Sequence, residues 1–279
     1  MNLTIITINR NNASGLEKTL SSVATQSFKE FEYIVIDGAS TDGSIEVIKT
    51  HEDEFAHLKW VSEPDAGIYN AMNKGIRMAS GDYIQILNSG DCLAADDVIE
   101  RMMKAMEEKV YPNILYGNLV KCFPDGRRLT DKCFTGRKIT MLGMYLGTLN
   151  HSPAFIRRTL FEKYGYYDET LRIVSDWKWC MQAIIFGDEQ PRYVDVDVVL
   201  FDMEGFSETN KGLAKAERKV VLEQMLPHAV LADYEQFAIP MDQFKRLQRH
   251  PWAYKMVWFI ERCLFKIEKA RNKNTAQWR

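Results

Sequence analysis

The stretch Ser62–Leu93, SEPDAGIYNAMNKGIRMASGDYIQILNSGDCL, decides the fold. Asp65 stands near its start and Asp91 near its end. Between them, Gly67–Ala79 has apolar residues at helical spacing, and Asp82–Asn88 is an apolar run of strand length. A helix that leads directly into a buried strand is half of a βαβ unit. Two acids at the loop ends of such a unit suggest a cation or a phosphate-bearing ligand.

The same alternation extends outward. Leu3–Ile8 (LTIITI), Phe31–Asp37 (FEYIVID) and Leu58–Ser62 (LKWVS) are apolar, β-branched strand candidates. A helix follows the first, where Ser14 and Glu17 stand at capping-box spacing, and another follows the second at SIEVIKTH. Strand and helix alternate four times in the first ninety residues. That order predicts a Rossmann-like, mostly parallel sheet covered by helices. Past Asp91 the pattern loosens. AADDVIERMMKAMEE predicts a helix, NILYGNLVKCF a strand, and PDGRR a hairpin turn. Residues 138–167 read as irregular or weakly helical, Ser175–Gly187 as a helix capped by Ser175, and Tyr193–Met203 as a strand or bent strand pair. LAKAERKVVLEQML and the aromatic-rich segment from Pro251 onward complete the helices. Without repeats or a low-complexity linker, the expectation is a catalytic domain over 1–210 and a helical extension over 211–279.

Composition narrows the function. The 279 residues are 46% hydrophobic and 27% charged, with a net charge of −2, which fits a folded protein and argues against a nucleic-acid partner. The charge is unevenly spread. Lys245–Arg279 holds ten Lys/Arg and two acids, a net of +8, which leaves −10 for the rest. The five cysteines have no C-x-x-C spacing, as expected of reduced cytosolic thiols and not of disulfides or a zinc site. MNLTIITINRN enters a strand at once, so no signal peptide is expected, and no apolar run reaches the roughly 18 residues of a membrane span.

In an open α/β sheet, ligands bind at the carboxyl ends of the strands. Those ends carry Thr7, Asn9 and Asn11, then Asp37, then Asp65, then Asn88 and Asp91. No G-x-G-x-x-G follows the first strand and no G-x-x-x-x-G-K-[ST] is present, which argues against a dinucleotide oxidoreductase and a P-loop NTPase. A site without a glycine cradle commonly neutralises phosphates with Mg2+ or Mn2+ on one or two carboxylates. Asp91, just past the fourth strand, is placed for that task.

Five pieces, TIITINRNN, IDGASTDGS, EPDAGIYNAMNKGIRMASGDYIQILNSGD, IVSDWKW and GFS, resemble the inverting, GT-A-fold glycosyltransferases of family 2, over about residues 1–210. The third piece is the most specific. The resemblance implies a nucleotide-diphospho-sugar transferase fold. It implies that Asp37 accepts a base N–H and that Thr7, Asn9 and Asn11 edge the base and ribose. It puts Asp65 and Asn73 near the nucleotide and sugar, with Gly67 and Gly75 permitting close backbone approach. The family's metal motif, D-x-D or D-D, is here Asn88-Ser89-Gly90-Asp91, which keeps one acid and one neutral oxygen donor. Asn70 stands where many relatives have Asp.

Inversion is a single displacement, so it needs a base for the acceptor hydroxyl and a cation for the departing diphosphate. Asp176, in the first turn of a helix, is the candidate base, and Trp177 a candidate wall for a sugar. The alternative is a helix-start acid with Trp177 and Trp179 in the core. His151 is a second candidate, for acceptor or phosphate binding, against a structural role; Asp168 reads as a turn residue. The expected partners are a nucleotide sugar, UDP-linked by preference, and a saccharide or lipid-linked saccharide in capsule, O-antigen or exopolysaccharide synthesis. The tail sets Trp252, Met256, Phe259, Ile260, Cys263, Leu264 and Ile267 on an apolar face, with Trp258 at its boundary. Lys255, Arg262, Lys266, Lys269 and Lys273 form a basic face. This composition fits peripheral contact with the anionic inner face of a plasma membrane, or a helix packed on the body. Two rival functions stay open: a nucleotidyltransferase, for which INRNNASG supplies only Arg10, and a non-catalytic sugar-nucleotide-binding protein.

Overall fold

The computed structural model describes residues 2–107, 111–135 and 137–272. Glu108 of the expected fourth helix, and Lys273 and Arg279 of the basic tail, lie outside the described residues, as do the side chains of Phe206 and Arg271. The chain forms two compact units, Met1–Met225 and Leu226–Arg279.

The first unit is built on one nine-stranded sheet, with helices on its faces. In chain order its elements begin with β1 (Leu3–Asn9), α1 (Ala13–Ala24), β2 (Phe31–Asp37), α2 (Ser44–Thr50), β3 (Leu58–Ser62), α3 (Ile68–Met78) and β4 (Tyr83–Ile86). β5 (Cys92–Leu93), α4 (Val98–Glu107), β6 (Ile114–Cys122), β7 (Arg128–Asp131), α5 (Met141–Leu146), β8 (Ala154–Arg157) and α6 (Thr159–Tyr164) follow. α7 (Ser175–Cys180) continues into a π-helical turn, Met181–Phe186, before β9 (Arg192–Asp202), α8 (Phe206–Thr209) and α9 (Lys211–Met225).

The strand order is β3-β2-β1-β4-β8-β6-β9-β5, with β7 paired to β6. β3, β2, β1 and β4 are parallel neighbours, in register from Leu3 opposite Phe31 to Asn9 opposite Asp37. All seven β1 residues are buried, the mark of a strand covered on both faces. On one face Leu3, Ile5, Tyr33 and Val35 pack with Leu16 and Leu20 of α1 and Ile99 and Met102 of α4. On the other, α3 approaches β1 so closely that a Cβ on Gly75 would stand 2.4 Å from Ile6 Cγ2. Each fully buried Leu or Ile contributes roughly 1.5–3 kcal/mol, so this two-sided core fixes the strand ends that carry the site.

Several local expectations are replaced. α1 is capped by Asn12, whose Oδ1 accepts from Gly15 N at 3.1 Å, not by Ser14. Glu17 instead meets His51 Nε2 at 2.9 Å. Val174, not Ser175, is the N-cap of α7, and the Ser175 hydroxyl accepts from Asp168 N. The segment read as irregular holds α5, β8 and α6; β8 lies antiparallel between β4 and β6 and joins the parallel half of the sheet to the mixed half. α9 belongs to the first unit, because the Glu217 carboxylate accepts from the backbone N–H groups of Arg172, Ile173 and Val174 at 2.7, 2.9 and 3.2 Å.

The second unit is two long helices, α10 (His228–Gln248) and α11 (Pro251–Asn272), with the Phe244 and Tyr254 rings in contact at 5.6 Å. No described helix is long and apolar enough to cross a membrane.

Candidate active site

Four loops meet at the carboxyl end of the parallel strands. Residues 87–91, past β4, carry Asn88 and Asp91, and α1 holds this loop down. Thr19 Oγ1 accepts from Gly90 N at 3.0 Å and donates to the Asp91 carbonyl at 2.7 Å. Gly90 has φ +103°, a left-handed conformation that favours glycine. β5 then pairs antiparallel with the end of β9 and sets Asp91 against Asp202. Asp91 Oδ1 accepts from Asp202 N at 3.1 Å.

Asp91 is 4% exposed, and burial pushes its carboxyl up to about 7 against the opposing pull of the Asp202 N–H and His151. Two buried oxygens here, Asp91 Oδ2 and Asn88 Oδ1, have no hydrogen-bond partner among the described residues. Orphaned oxygens of this kind, one from a carboxylate and one from an amide, suit a hard divalent cation that keeps most of its shell for water and phosphate. The Asp202 carboxylate lies close to this loop, with Oδ2 3.9 Å from the point a Cβ on Gly90 would occupy. No cluster of three or more His, Cys, Asp or Glu with metal-binding geometry occurs among the described residues.

His151 spans from this loop to α7. Its Nδ1 stands 3.1 Å from Asp176 Oδ2, and its Nε2 faces Asn88 Nδ2 at 3.5 Å and Ser152 Oγ at 3.4 Å. Tyr69, on α3, donates its hydroxyl to Asp176 Oδ1 at 2.9 Å and to the Ile173 carbonyl. Burial pushes the Asp176 carboxyl up, but the His151 and Tyr69 hydrogen bonds outweigh it and hold it below the usual carboxylate range. Burial likewise pushes His151 down and Asp176 more than compensates, so the imidazole is raised. The pair is therefore a carboxylate held by an N–H donor at neutral pH.

A second group of polar residues zips the first two loops together. Asp37 is fully buried, with Oδ1 accepting from Asn9 Nδ2 at 2.8 Å and Oδ2 from Ser40 N at 2.9 Å and Ser62 Oγ at 2.7 Å. Burial raises its pKa, and these bonds lower it by more. Asn11, at φ +49°, donates its N–H to Ser40 Oγ and accepts from Thr41 N. Asp65 packs its Oδ2 against Gly38, 2.7 Å from where a Cβ would stand, and its Oδ1 accepts from Lys74 at 2.8 Å. Gly67, at φ +137°, caps α3.

Other expected ligand residues make contacts within the protein. Thr7 is fully buried within β1 and bonded to Tyr33 OH at 2.9 Å. Gly75 permits the close approach of α3 to Ile6. Asn73 is 1% exposed and spends its amide on Tyr167 N and O and on Glu169. Trp177 is 1% exposed, with Nε1 on the Met144 carbonyl at 2.8 Å, and its ring packs in the core. Each ring nitrogen of His151 faces a protein partner, Asp176 at Nδ1 and Asn88 at Nε2. Asp37 braces the loops through bonds to both of its oxygens.

Four residues escaped the sequence reading. Tyr69 hid in the apolar period of α3, and Asp202 could have been found as the terminal acid of a strand. Glu217 and Arg218 lie in a helix assigned to the extension. Arg218 stacks its guanidinium 4.7 Å over the Trp177 ring; burial lowers its pKa and Asp176 opposes that shift.

The comparisons agree with this architecture. A family model described as glycosyl transferase family 2 matches residues 4–165. The chain is 33% identical over 185 residues to "Uncharacterized glycosyltransferase MT1564" of Mycobacterium tuberculosis (strain CDC 1551 / Oshkosh), covering 66% of this chain and 69% of that one. It is 26% identical over 196 residues to the PGL/p-HBAD biosynthesis glycosyltransferase Rv2957 of M. tuberculosis (strain ATCC 25618 / H37Rv), covering 70% and 74%. Among solved structures, S. aureus TarS 1-349 in complex with UDP-GlcNAc superposes with a TM-score of 0.63 at 20% identity. The match covers 75% of this chain and 61% of TarS 1-349, less than two thirds of its length. The mannosyltransferase PcManGT from Pyrobaculum calidifontis, in complex with GDP-Man and Mn2+, gives 0.60 at 15% identity over 99% of this chain and 76% of that one. At these identities the likeness is one of fold, the GT-A fold.

Proposed function

Because the chain belongs to glycosyl transferase family 2, we propose that it moves a sugar from a nucleotide-sugar donor to a saccharide or lipid-linked saccharide acceptor, with inversion at the anomeric carbon. The observation that carries this reading is one cluster, Asn88, Asp91, His151 and Asp176, gathered at the carboxyl end of the sheet. It pairs a fixed carboxylate with two unsatisfied buried oxygens.

In this reading the acceptor hydroxyl hydrogen-bonds to Asp176, which takes its proton as the oxygen bonds to the anomeric carbon. The bond from that carbon to the nucleoside diphosphate breaks, and its electron pair leaves with the diphosphate. Attack opposite the leaving group inverts the centre. Tyr69 and His151 hold the Asp176 carboxylate in one rotamer and keep it ionised. Asp91 and Asn88 would hold Mn2+ or Mg2+, with the Asp202 carboxylate nearby; such an ion supplies Lewis-acid neutralisation of the diphosphate. Asn9, Asn11, Asp37 and Asp65 shape the loops on the nucleotide side.

The UDP-GlcNAc, GDP-Man and Mn2+ in the names of the fold neighbours support a nucleotide-sugar donor and a divalent cation. UDP-sugars are favoured, with transfer of a hexosyl or N-acetylhexosaminyl group. The relatives named for PGL/p-HBAD biosynthesis support a role in glycoconjugate assembly. We assign the chain to capsule, O-antigen or exopolysaccharide synthesis at the cytosolic face of a membrane. The test is a panel of UDP-, GDP- and TDP-sugars, with and without Mn2+, read by thermal shift and donor turnover. One donor class should stabilise the protein by about 2.7 kcal/mol at a hundredfold excess over its dissociation constant. No stabilisation and no turnover across the panel would contradict the reading.

A further inference from the structure

The second unit exposes an unusual amount of apolar surface. On α11, Trp252 is 70% exposed, Phe259 66%, Phe265 57%, Leu264 55%, and Trp258 and Ile267 52% each. Soluble monomers scatter such residues singly; a continuous set marks an interaction surface. At helical spacing, Trp252, Met256, Phe259, Ile260 and Ile267 lie on one exposed side of α11.

Lys255, Arg262, Lys266 and Lys269 repeat at seven, four and three residues and run as a stripe beside that side. All four are exposed, and none has a carboxylate partner among the described residues. Glu261 and Glu268 fall on another side of the helix. Arg262 stacks at 4.5 Å on Trp258, which keeps an indole beside the cations. Over residues 226–272 eight Lys/Arg face five Asp/Glu, a net of +3.

We propose that α11 is an interfacial helix that docks the enzyme on an anionic lipid bilayer. It lies in the headgroup plane with Trp252, Met256, Phe259, Ile260 and Ile267 in the acyl boundary. Lys255, Arg262, Lys266 and Lys269 extend to the phosphates of anionic lipids. The charge pattern selects this occupant over a second copy of the chain: an antiparallel two-fold contact on this face would set the cationic stripes side by side, whereas anionic headgroups pair with all four cations. The inference deepens the membrane-side acceptor proposed above, yet lipid docking requires no donor, acceptor or turnover.

The test is co-sedimentation of the full chain, without sugar nucleotide, on phosphatidylcholine vesicles and on vesicles containing phosphatidylglycerol. Binding should be at least tenfold tighter on the anionic vesicles and fall with salt. Lys255→Gln/Arg262→Gln/Lys266→Gln should weaken it about a hundredfold, since each cation near the surface contributes roughly fivefold. Trp252→Ser/Phe259→Ser should abolish the lipid-induced blue shift of tryptophan fluorescence. All these positions are exposed, so far-UV circular dichroism should stay unchanged. Equal binding to neutral and anionic vesicles, no binding at low salt, or unaltered binding by the charge variant overturns the proposal. Sedimentation velocity without lipid supplies the remaining outcome: a dimer dispersed by Trp252→Ser/Phe259→Ser, with no vesicle binding, makes a second copy the occupant. A chain that binds vesicles but turns over no donor keeps the docking surface and refutes the transferase reading.

Discussion

Asp176 takes hydrogen bonds from two side chains that come from distant parts of the sequence, Tyr69 and His151. If it is the base, Asp176→Asn should lower turnover by a hundredfold or more and leave donor affinity nearly unchanged. Tyr69→Phe removes a bond that lowers the Asp176 pKa. The acidic limb of its pH–rate profile should therefore move to higher pH, a shift that a purely structural role for Tyr69 would not produce. Asp91→Ala should lose transfer by a hundredfold or more and abolish the Mn2+-dependent part of donor stabilisation. Unchanged thermal shifts in Mn2+ would remove Asp91 from the cation site. Asp91 and Asp176 could be singled out as candidates because an acid at a strand end or a helix start has few structural duties. The protein contacts of Thr7, Asn73, Gly75 and Trp177 were not legible, because a sequence gives a residue's place along an element and not what its side chain meets. Asn73, for instance, turned out to be consumed by the backbone of Tyr167.

At the scale of elements, periodicity showed the first four strands and three helices, since each is long enough to express its period. β8, four residues long between two short helices, has no such period and was invisible. Its partners on both sides are what make it a strand. The parallel half of the sheet also carries a polar staple. Glu32 accepts from Thr4 Oγ1 on β1 at 2.7 Å, from Lys59 Nζ on β3 at 2.6 Å and from Ser80 N past α3 at 2.8 Å. Burial pushes this carboxyl up, but those bonds outweigh it and bring it down to about 2 from 4.5. A depressed carboxylate stabilises the fold above its unfolded pKa and loses that contribution as pH falls through the folded value. Glu32→Gln should therefore cost about 2 kcal/mol at pH 7, measured by urea unfolding. The difference from the native chain should shrink between pH 4.5 and 2. A cost independent of pH would assign the effect to packing and not to charge.

In the whole molecule, the fold brings together residues far apart in sequence: Asn88 and Asp91 past β4, His151 before β8, Asp176 on α7 and Asp202 at the end of β9. The βαβ alternation and the specific 63–91 segment made the GT-A half legible. The mixed half was not, because its strands pair with partners distant in sequence, as β6 does with β9 and β5 with β9. The same topology makes a single prediction about chemistry. If the base is on α7 and the diphosphate side on the β4 loop, as proposed, the acceptor should attack opposite the leaving group, in one step. The most direct measurement is the anomeric configuration of the product, followed by proton NMR during turnover of the donor selected from the panel. An α-linked sugar nucleotide should give a β-linked product, which Asp176→Asn should form at least a hundredfold more slowly. A product of retained configuration, made at the native rate by Asp176→Asn, would contradict it.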